Sequence, residues 1–474
     1  MTNNRMIRTK IICTSGPSMD STKTFEDMII KGASVIRLNC SHGNFETRLK
    51  HLKKVRSIEK KLGKSLGVML DLQGPKLRVG ELPNPFILKK DEVWCLTAYE
   101  KPNEKKKIIP LDFKKLPEVV KVGKRIYMDD GFISSVVVKK DAKNVWIKID
   151  QDAKLNSRKG VNIPEYTGKG SVLNKKDKAD VIWGLKNQVD FIALSFVRTV
   201  DDIHELKTFI QKQSPARIPL LIAKIEKPSA VDDMDRIIEA SDGILVARGD
   251  LGVELSHSQV PVVQKRLIEQ CRFYRKPVIV ATQMLDSMRY SPLPTRAEVS
   301  DVASSIFAGT DAVLLTGETS VGNYPVECVS MISKIITDVE NHLIQKKFKK
   351  TPEDFGVVEL KESFVFNVMQ MAEDIKSSAI VLLTKHGELA KAISKFHPKQ
   401  PIFTLTNHPT YSRLTSLYWG VYPIKTMAQK PNAQIKQCLL ALKKQKVIKK
   451  FSKVIFVYQN PDNLNLSLEV VECP

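Results

Sequence analysis

A short buried strand followed by an amphipathic helix recurs eight times along this chain, with one interruption. No other feature limits its folding as strongly. KIICTS (10–15) leads to a helix over 21–31, with Gly32 as its stop. ASVIRLNCSHG (33–43) leads to a long basic helix ending near Leu62, and GVMLDLQGPKLR (67–78) carries a third strand. The rhythm resumes at Asp177 with a helix to Asn187. Strands then follow at VDFIALSF (189–196), PLLIAKIE (219–226), GILVARGD (243–250), KPVIVATQM (276–284) and DAVLLTGE (311–318). Helices over 200–212, 229–240, 257–274 and from Arg296 separate them. Apolar runs of this kind separated by helices signal βαβ units with parallel strands. Eight units match a closed (β/α)₈ barrel. An open doubly wound sheet is the alternative, but no GxGxxG follows the first strand.

Residues 79–160 break the pattern. EVWCLTAYE, RIYMDDGFISSVVV and NVWIKI alternate apolar and polar positions with DDG as punctuation, which predicts antiparallel hairpins. This insertion falls between the third strand and its helix, where barrel-top loops lie. After a helix over 325–346 and the polar linker KKFKKTPEDFG, a new pattern begins. SFVFNVMQMAEDI predicts a helix, while AIVLLT (379–384), PIFTLT (401–406) and KVIFVY (453–458) predict buried strands. The expected fold class is therefore α/β. It comprises a (β/α)₈ TIM barrel over 1–78 and 161–345, a small inserted β-barrel domain over 79–160, and a C-terminal α/β domain over 346–474.

The formal net charge of +23 raises the question of nucleic acid. Its lysines are spread widely, and runs such as KPNEKKK (101–107) and KKQKVIKK (443–450) carry no interleaved aromatics. A solvated surface that steers anionic substrates is the expectation, with no nucleic-acid partner. No apolar run approaches the roughly 18 residues that span a bilayer, so no membrane partner is expected. The first residues lack a signal-peptide core, which makes a cytoplasmic location the expectation. Seven scattered cysteines without a CxxC pair suit reduced thiols, and the eight histidines form no zinc motif.

Chemistry gathers where the strands end: Thr14 and Ser15, Arg37, Asn39 and Ser41, Asp71, Ser195, Lys224 and Glu226, Arg248 and Asp250, Thr282, Thr316 and Glu318. A barrel brings all of these to one rim. Residues two apart on a strand share a face, so Lys224 and Glu226 point the same way. Glu226 and Asp250 offer hard oxygens suited to Mg²⁺ or Mn²⁺. Lys224, Arg37 and Arg78 add positive charge. A cation with Lys and Arg around an open position is what phosphoryl transfer needs. Gly249 and Gly252 allow close backbone approach, and the N–H groups there suit a carboxylate. The bland reading is a set of ion pairs bracing loops; for any one carboxylate it is as good as the functional one.

These segments resemble the pyruvate kinase family over nearly the whole chain. The resemblance rests on TKIICTSGPS (9–18), VIRLNCSHG (35–43), DLQGPKLR (71–78), RKGVNIP (158–164), AKIE (223–226), ARGDLG (247–252), ATQMLDSM (281–288), PTRAEVSDVA (294–303) and LTGETSVGNYPVE (315–327). It implies transfer of a phosphoryl group from phosphoenolpyruvate to ADP and protonation of the enolate to pyruvate, in a homotetramer. By the same resemblance Lys224 stabilises the moving phosphoryl group and Arg37 holds the phosphate. Glu226 and Asp250 ligand Mg²⁺, and the backbone of Ala247, Arg248 and Gly249 holds the carboxylate. Thr282 sits where the enolate is protonated, through water. Asn39, His42, Arg78 and Lys159 match nucleotide-side positions. Asn39, Ser41, Asp71 and the Leu72 carbonyl match a monovalent-cation site.

Two departures single this chain out. Members that use K⁺ typically read DTKGPEIR, and here Lys76 stands in place of their Glu. A built-in ammonium replaces a bound cation's charge, so activity without K⁺ is expected, against the plainer reading of Lys76 as a loop residue. Effector-regulated members carry a TxSGxSA-like loop, whereas 384–390 here reads TKHGELA. No glycine occurs in the VYQNPDNLNLSLEVV tail. Activation by fructose 1,6-bisphosphate through that loop is not expected. Two rivals are weighed: a Mg²⁺-dependent lyase acting on pyruvate enolates, and a basic binding protein without activity. The inserted domain and Lys224 oppose the first, and the full set of rim residues opposes the second.

Overall fold

The computed structural model describes residues 6–129, 131–164, 166, 170–345, 360–384, 387–406, 408–425, 431–459 and 465–473. The linker at 346–356 lies outside them, as do positions 385 and 386 of the 384–390 loop. Eight parallel strands close into a barrel: β1 (Lys10–Thr14), β2 (Ala33–Asn39), β3 (Gly67–Asp71), β4 (Phe191–Leu194), β5 (Leu220–Ile225), β6 (Gly243–Ala247), β7 (Val278–Ala281) and β8 (Ala312–Leu315). β8 returns to pair with β1, Ala312 opposite Lys10, so no edge is left exposed.

The strands read as unbroken apolar runs, yet the pleat sorts them into two faces. Ile12, Val35, Met69, Phe191, Ala193, Ile222, Leu245, Ile279, Ala312 and Leu314 pack together inside the barrel. Their neighbours Ile11, Ile36, Val68, Ile192, Leu221, Ile244, Val278 and Val313 pack with the surrounding helices. The barrel's lower end is stopped by the C-terminal domain: Leu414 and Leu417 join the interior cluster. The close approach is visible at Gly67, where a Cβ would meet Ser416 Oγ at 2.8 Å.

Helix boundaries depart from the sequence reading in two places. The helix expected over 229–240 is split into Pro228–Asp232 and Met234–Ala240. Asp233 stands between them, its side chain accepting the Val200 N–H at 2.8 Å. The helix expected over 257–274 begins at Val260, because Arg248–Glu254 forms a separate helix directly off β6.

The insertion forms a seven-stranded sheet with Leu77–Arg78 at one edge and Ile108–Pro110 at the other, plus a two-stranded ribbon of Phe86–Leu88 and Ala153–Leu155. A bridge between Val79 and Leu111 and a Gly80 N–H bond to the Pro110 carbonyl at 2.8 Å draw the two edges together. The C-terminal domain is a five-stranded sheet rather than the three strands expected. To the parallel strands Ala379–Leu383, Ile402–Thr406 and Lys453–Gln459 it adds Val421–Lys425 at one edge and antiparallel Leu466–Glu472 at the other. Pro423 masks the first of these in the sequence, and an edge strand is where a proline is tolerated.

Asp190, at the entrance to β4, anchors the base of the barrel. Its Oδ2 accepts the Val68 N–H at 2.9 Å and lies 2.8 Å from Arg56 Nη2, while Oδ1 lies 3.2 Å from Arg217 Nη1. Removing one partner from a buried charge cluster costs about 3–5 kcal/mol. Asp190→Ala is therefore expected to lower unfolding free energy by about that amount in urea titrations.

Candidate active site

The interior alternation runs one rung beyond the apolar core, and that rung is polar. Thr14, Arg37, Asp71, Ser195 and Lys224 each stand two residues past an interior residue, respectively Ile12, Val35, Met69, Ala193 and Ile222. They form one network. Arg37 Nε lies 2.6 Å from Asp71 Oδ2, and its Nη1 donates to Thr14 Oγ1 at 3.0 Å. Lys224 Nζ lies 3.2 Å from Asp71 Oδ1 and 3.0 Å from Glu226 Oε1, and donates to Ser195 Oγ at 2.7 Å. The serine hydroxyl donates in turn to the Leu72 carbonyl at 2.7 Å.

Burial opposes charge on Asp71, Lys224 and Glu226, and the partners decide the outcome. For Asp71, burial is outweighed by Lys224 and Arg37, which hold the carboxyl below its ordinary range. For Lys224, burial is outweighed by Asp71 and Glu226, which push the ammonium up. Glu226 goes the other way: burial raises it more than Lys224 lowers it. Its Oε2 accepts the Phe196 N–H at 2.7 Å, whereas Oε1 is buried without a well-aligned donor.

Asp250 lies in the first turn of the helix off β6 and meets Lys76 Nζ at 2.6 Å. Burial alone would raise its carboxyl; the Lys76 charge and hydrogen bond bring it below the usual value. Lys76 is only 12% exposed and lies 5.7 Å from the centre of the Phe196 ring, a second favourable contact for an ammonium. Glu226 and Asp250 fit a divalent ion that takes hard oxygens: Glu226 Oε1 is buried beside the Lys224 ammonium without an aligned donor, and both side chains are at the rim. Among the described residues no group of three or more His, Cys, Asp or Glu is placed to hold a metal ion by itself, so such an ion would complete its shell from water and substrate.

Thr282 leaves the strand alternation. Its φ of 71° and the 51° of Gln283 are left-handed, an uncommon conformation that is costly for a β-branched residue. The turn swings Thr282 Oγ1 to the Gly249 N–H, which it accepts at 2.7 Å. Arg248 holds the turn from behind: its guanidinium donates to the Thr282 carbonyl at 2.7 Å and the Gln283 carbonyl at 2.8 Å, and pairs with Asp301 at 2.6 Å. Only the Arg248 backbone is left for the site.

The remaining residues expected at the site sit around this centre. Asn39 pairs with Asp71 across β2 and β3, and its Oδ1 accepts the Ser41 N–H at 3.0 Å. His42 is held towards its neutral form by burial, then by Arg78 and Arg37. Arg78 donates to the Arg158 carbonyl at 3.0 Å, and Lys159 pairs with Asp129 at 2.7 Å, both within the inserted domain's sheet or its turns. Glu318 is not part of the centre; it braces a loop by accepting the N–H groups of Thr316 at 2.7 Å and Leu285 at 3.3 Å. The sequence reading missed a latch. Glu254 Oε1 lies 2.6 Å from Lys227 Nζ and accepts from Asn162 Nδ2 at 3.0 Å, joining the rim to the returning strand of the inserted domain. Lys227 directly follows AKIE and Asn162 lies inside RKGVNIP, so motif adjacency was the available signal.

Known proteins resemble this chain over most of its length. The family model "Pyruvate kinase, barrel domain" matches residues 6–329, and "Pyruvate kinase, alpha/beta domain" matches 362–468. A pyruvate kinase of Bacillus licheniformis is 39% identical over 419 residues, covering 88% of this chain and 72% of that one. One from Thermotoga maritima is 38% identical over 441 residues, covering 93% and 92%. A crystal structure of a pyruvate kinase from Cryptosporidium parvum superposes with a TM-score of 0.89 at 32% identity, covering 99% of this chain and 96% of that one. The chain belongs to the pyruvate kinase family, and it is a phosphotransferase that passes the phosphoryl group of phosphoenolpyruvate to ADP.

Proposed function

We propose that the polar rung above the barrel core carries this reaction in the following way. Arg37 and Lys224 receive the phosphoryl group: both cations are already aimed into the centre by Asp71, so little reorganisation accompanies the build-up of charge. The backbone from Ala247 to Gly249 holds the substrate carboxylate at the start of the helix off β6. Glu226 and Asp250 hold Mg²⁺ or Mn²⁺, which when bound supplies charge neutralisation on the phosphoryl oxygens. Thr282, strained and fixed by Arg248, orders the water that protonates the enolate. Asn39, His42, Arg78 and Lys159 bind ADP, the last from the inserted domain, which closes over the site and excludes water. The inserted domain spans 79–160, the barrel 1–78 and 161–345, and the C-terminal domain 346–474. The assembly is a cytoplasmic homotetramer; among the described residues no helix is long and apolar enough to cross a membrane.

The observation that carries this reading is the contact of Lys224 with both Asp71 and Glu226, one anchoring it and the other marking the metal position. Lys224→Met is expected to lower kcat by about 10²–10³-fold, the typical loss for one electrostatic stabiliser, with a much smaller change in KM for phosphoenolpyruvate. A coupled assay of ATP formation checks it; an unchanged kcat would remove Lys224 from the transition state.

The enzyme works without K⁺. Three of the four groups of the monovalent site are engaged by internal donors: Asn39 Oδ1 by Ser41, the Leu72 carbonyl by Ser195, and Asp71 by Arg37 and Lys224. Lys76 brings its own charge to Asp250. Turnover with tetramethylammonium as the only monovalent cation is expected to match turnover in K⁺. Lys76→Glu should slow it by about tenfold or more in the absence of K⁺, ~1.4 kcal/mol of barrier, with recovery on adding K⁺. A strong K⁺ requirement in the unaltered enzyme rules this out.

The 384–390 loop does not serve fructose 1,6-bisphosphate. Thr384 Oγ1 is taken up by the Gly387 N–H at 2.9 Å, and Glu388 sets a carboxylate beside the loop, paired with Lys361 at 2.9 Å. Thr384→Ala is expected to leave the phosphoenolpyruvate saturation curve the same with and without that sugar phosphate; a response in the parent that the substitution abolishes would show the loop to be an effector site.

A further inference from the structure

At the end of the barrel opposite the rim, the segments that enter β7 and β8 face the C-terminal helix Glu388–Ser394 across a narrow cleft. Arg272, Arg275 and Lys276 line it from the barrel, Lys391 and Lys395 from the C-terminal domain, and Asp311 is its one lining carboxylate. Two further carboxylates stand nearby. Glu362 lies 2.9 Å from Lys395 and 3.4 Å from Arg275, and Asp242 is engaged by the Leu221 N–H at 2.9 Å. Asp311 accepts the Val278 N–H at 2.9 Å and lies 3.6 Å from His397 Nε2. Lys207 adds positive charge from the flank, and Glu388 is taken up by Lys361.

Positive charge is therefore in surplus, and it is not simply solvated. Among the described residues Lys276 donates only to the carbonyls of Glu239, at 2.9 Å, and Ser241. Burial, then the neighbouring Lys391, pushes its pKa down to about 8. Lys391 is likewise lowered, chiefly by burial. Arg272 and Lys391 make neither a hydrogen bond nor an ion pair with a described residue. Arg272 is nonetheless held in place: its guanidinium lies across Gly309, φ 95°, where a Cβ would come within 1.8 Å of Nη2. Asp311 and Glu269 attract Arg272, and Asp242 and Glu388 attract Lys391, but none of them pairs directly with these two cations. Half-buried cations without a direct ionic partner are costly, and an anion that meets them recovers that cost. Two planar guanidinium forks beside two ammonium groups match a tetrahedral oxyanion better than a single carboxylate. A second, adjoining cavity shares Arg272, Gly309 and His397 and is walled by Phe307, Phe396 and Trp419, an apolar surface for an organic group attached to the anion.

We propose that this cleft binds a phosphate-bearing anion, which bridges the barrel to the C-terminal domain through Arg272 and Lys276 on one side and Lys391 on the other. The site lies at the opposite end of the barrel from the catalytic rim and does not depend on the roles proposed there. Thermal unfolding in inorganic phosphate, against chloride of equal ionic strength, tests it in the parent, Lys391→Met and Arg272→Met proteins. Each comparison is repeated with Arg37→Gln, which removes phosphate affinity at the catalytic rim. Both cleft variants are expected to be at least as stable as the parent in chloride, since each removes surplus charge. Their apparent affinity for phosphate should weaken by about tenfold or more, while Arg37→Gln alone keeps the response. A phosphate response that survives both cleft substitutions, or that disappears with Arg37→Gln alone, overturns the proposal. Phenyl phosphate identifies the ligand's form. Tighter binding than inorganic phosphate, lost in the same variants, assigns a phosphomonoester extending into the aromatic cavity; equal binding, lost in the same variants, assigns free phosphate.

Discussion

Everything at the rim hangs on the buried carboxylate of Asp71. With 2% of its side chain exposed, it would be too costly to keep charged alone, and Arg37 and Lys224 approach it from two sides at 2.6 and 3.2 Å. The cost runs in both directions, because neither cation could be held in the barrel mouth without it. Adding Glu226, Asp250 and Lys76 gives three cations against three carboxylates in one small volume. A near-neutral resting set of this kind stays folded without ligand, yet presents charges of both signs to a substrate that carries a phosphate and a metal.

That set is cheap to position because it continues the packing of the core. The same alternation that puts Val35, Met69 and Ile222 inside the barrel puts Arg37, Asp71 and Lys224 on top of them. Fixed strands below mean fixed side chains above, which is why sites on strand ends are precise. Thr282 is the exception. It reaches its place through two consecutive left-handed residues, and Arg248 braces those residues from outside the site.

Much of this was legible in the sequence. The eight-fold repeat exposes the barrel because parallel strands buried on both faces need continuous apolar runs, and the runs end abruptly at Lys224, Glu226 and Asp250. What stayed hidden depends on contacts distant in the chain. Nothing local tells that Arg248 turns away towards Asp301, or that Glu254 reaches Asn162 across the lid junction, since both rest on pairings tens of residues apart. The two edge strands of the C-terminal sheet were missed for a different reason: Val421–Lys425 contains a proline, and Leu466–Glu472 is half exposed, so neither has a buried strand's signature.

The stopper at the base of the barrel has a mechanical consequence. Leu414 and Leu417 are the lowest members of a close-packed column whose upper members carry the polar rung. Close-packed interiors have low compressibility and pass displacement along rather than absorbing it. The C-terminal domain thus sits as a plug in the cylinder, and the packed column above it is a continuous line of contact towards the catalytic end. In a chain built this way the barrel's own axis is the direct line between its two ends.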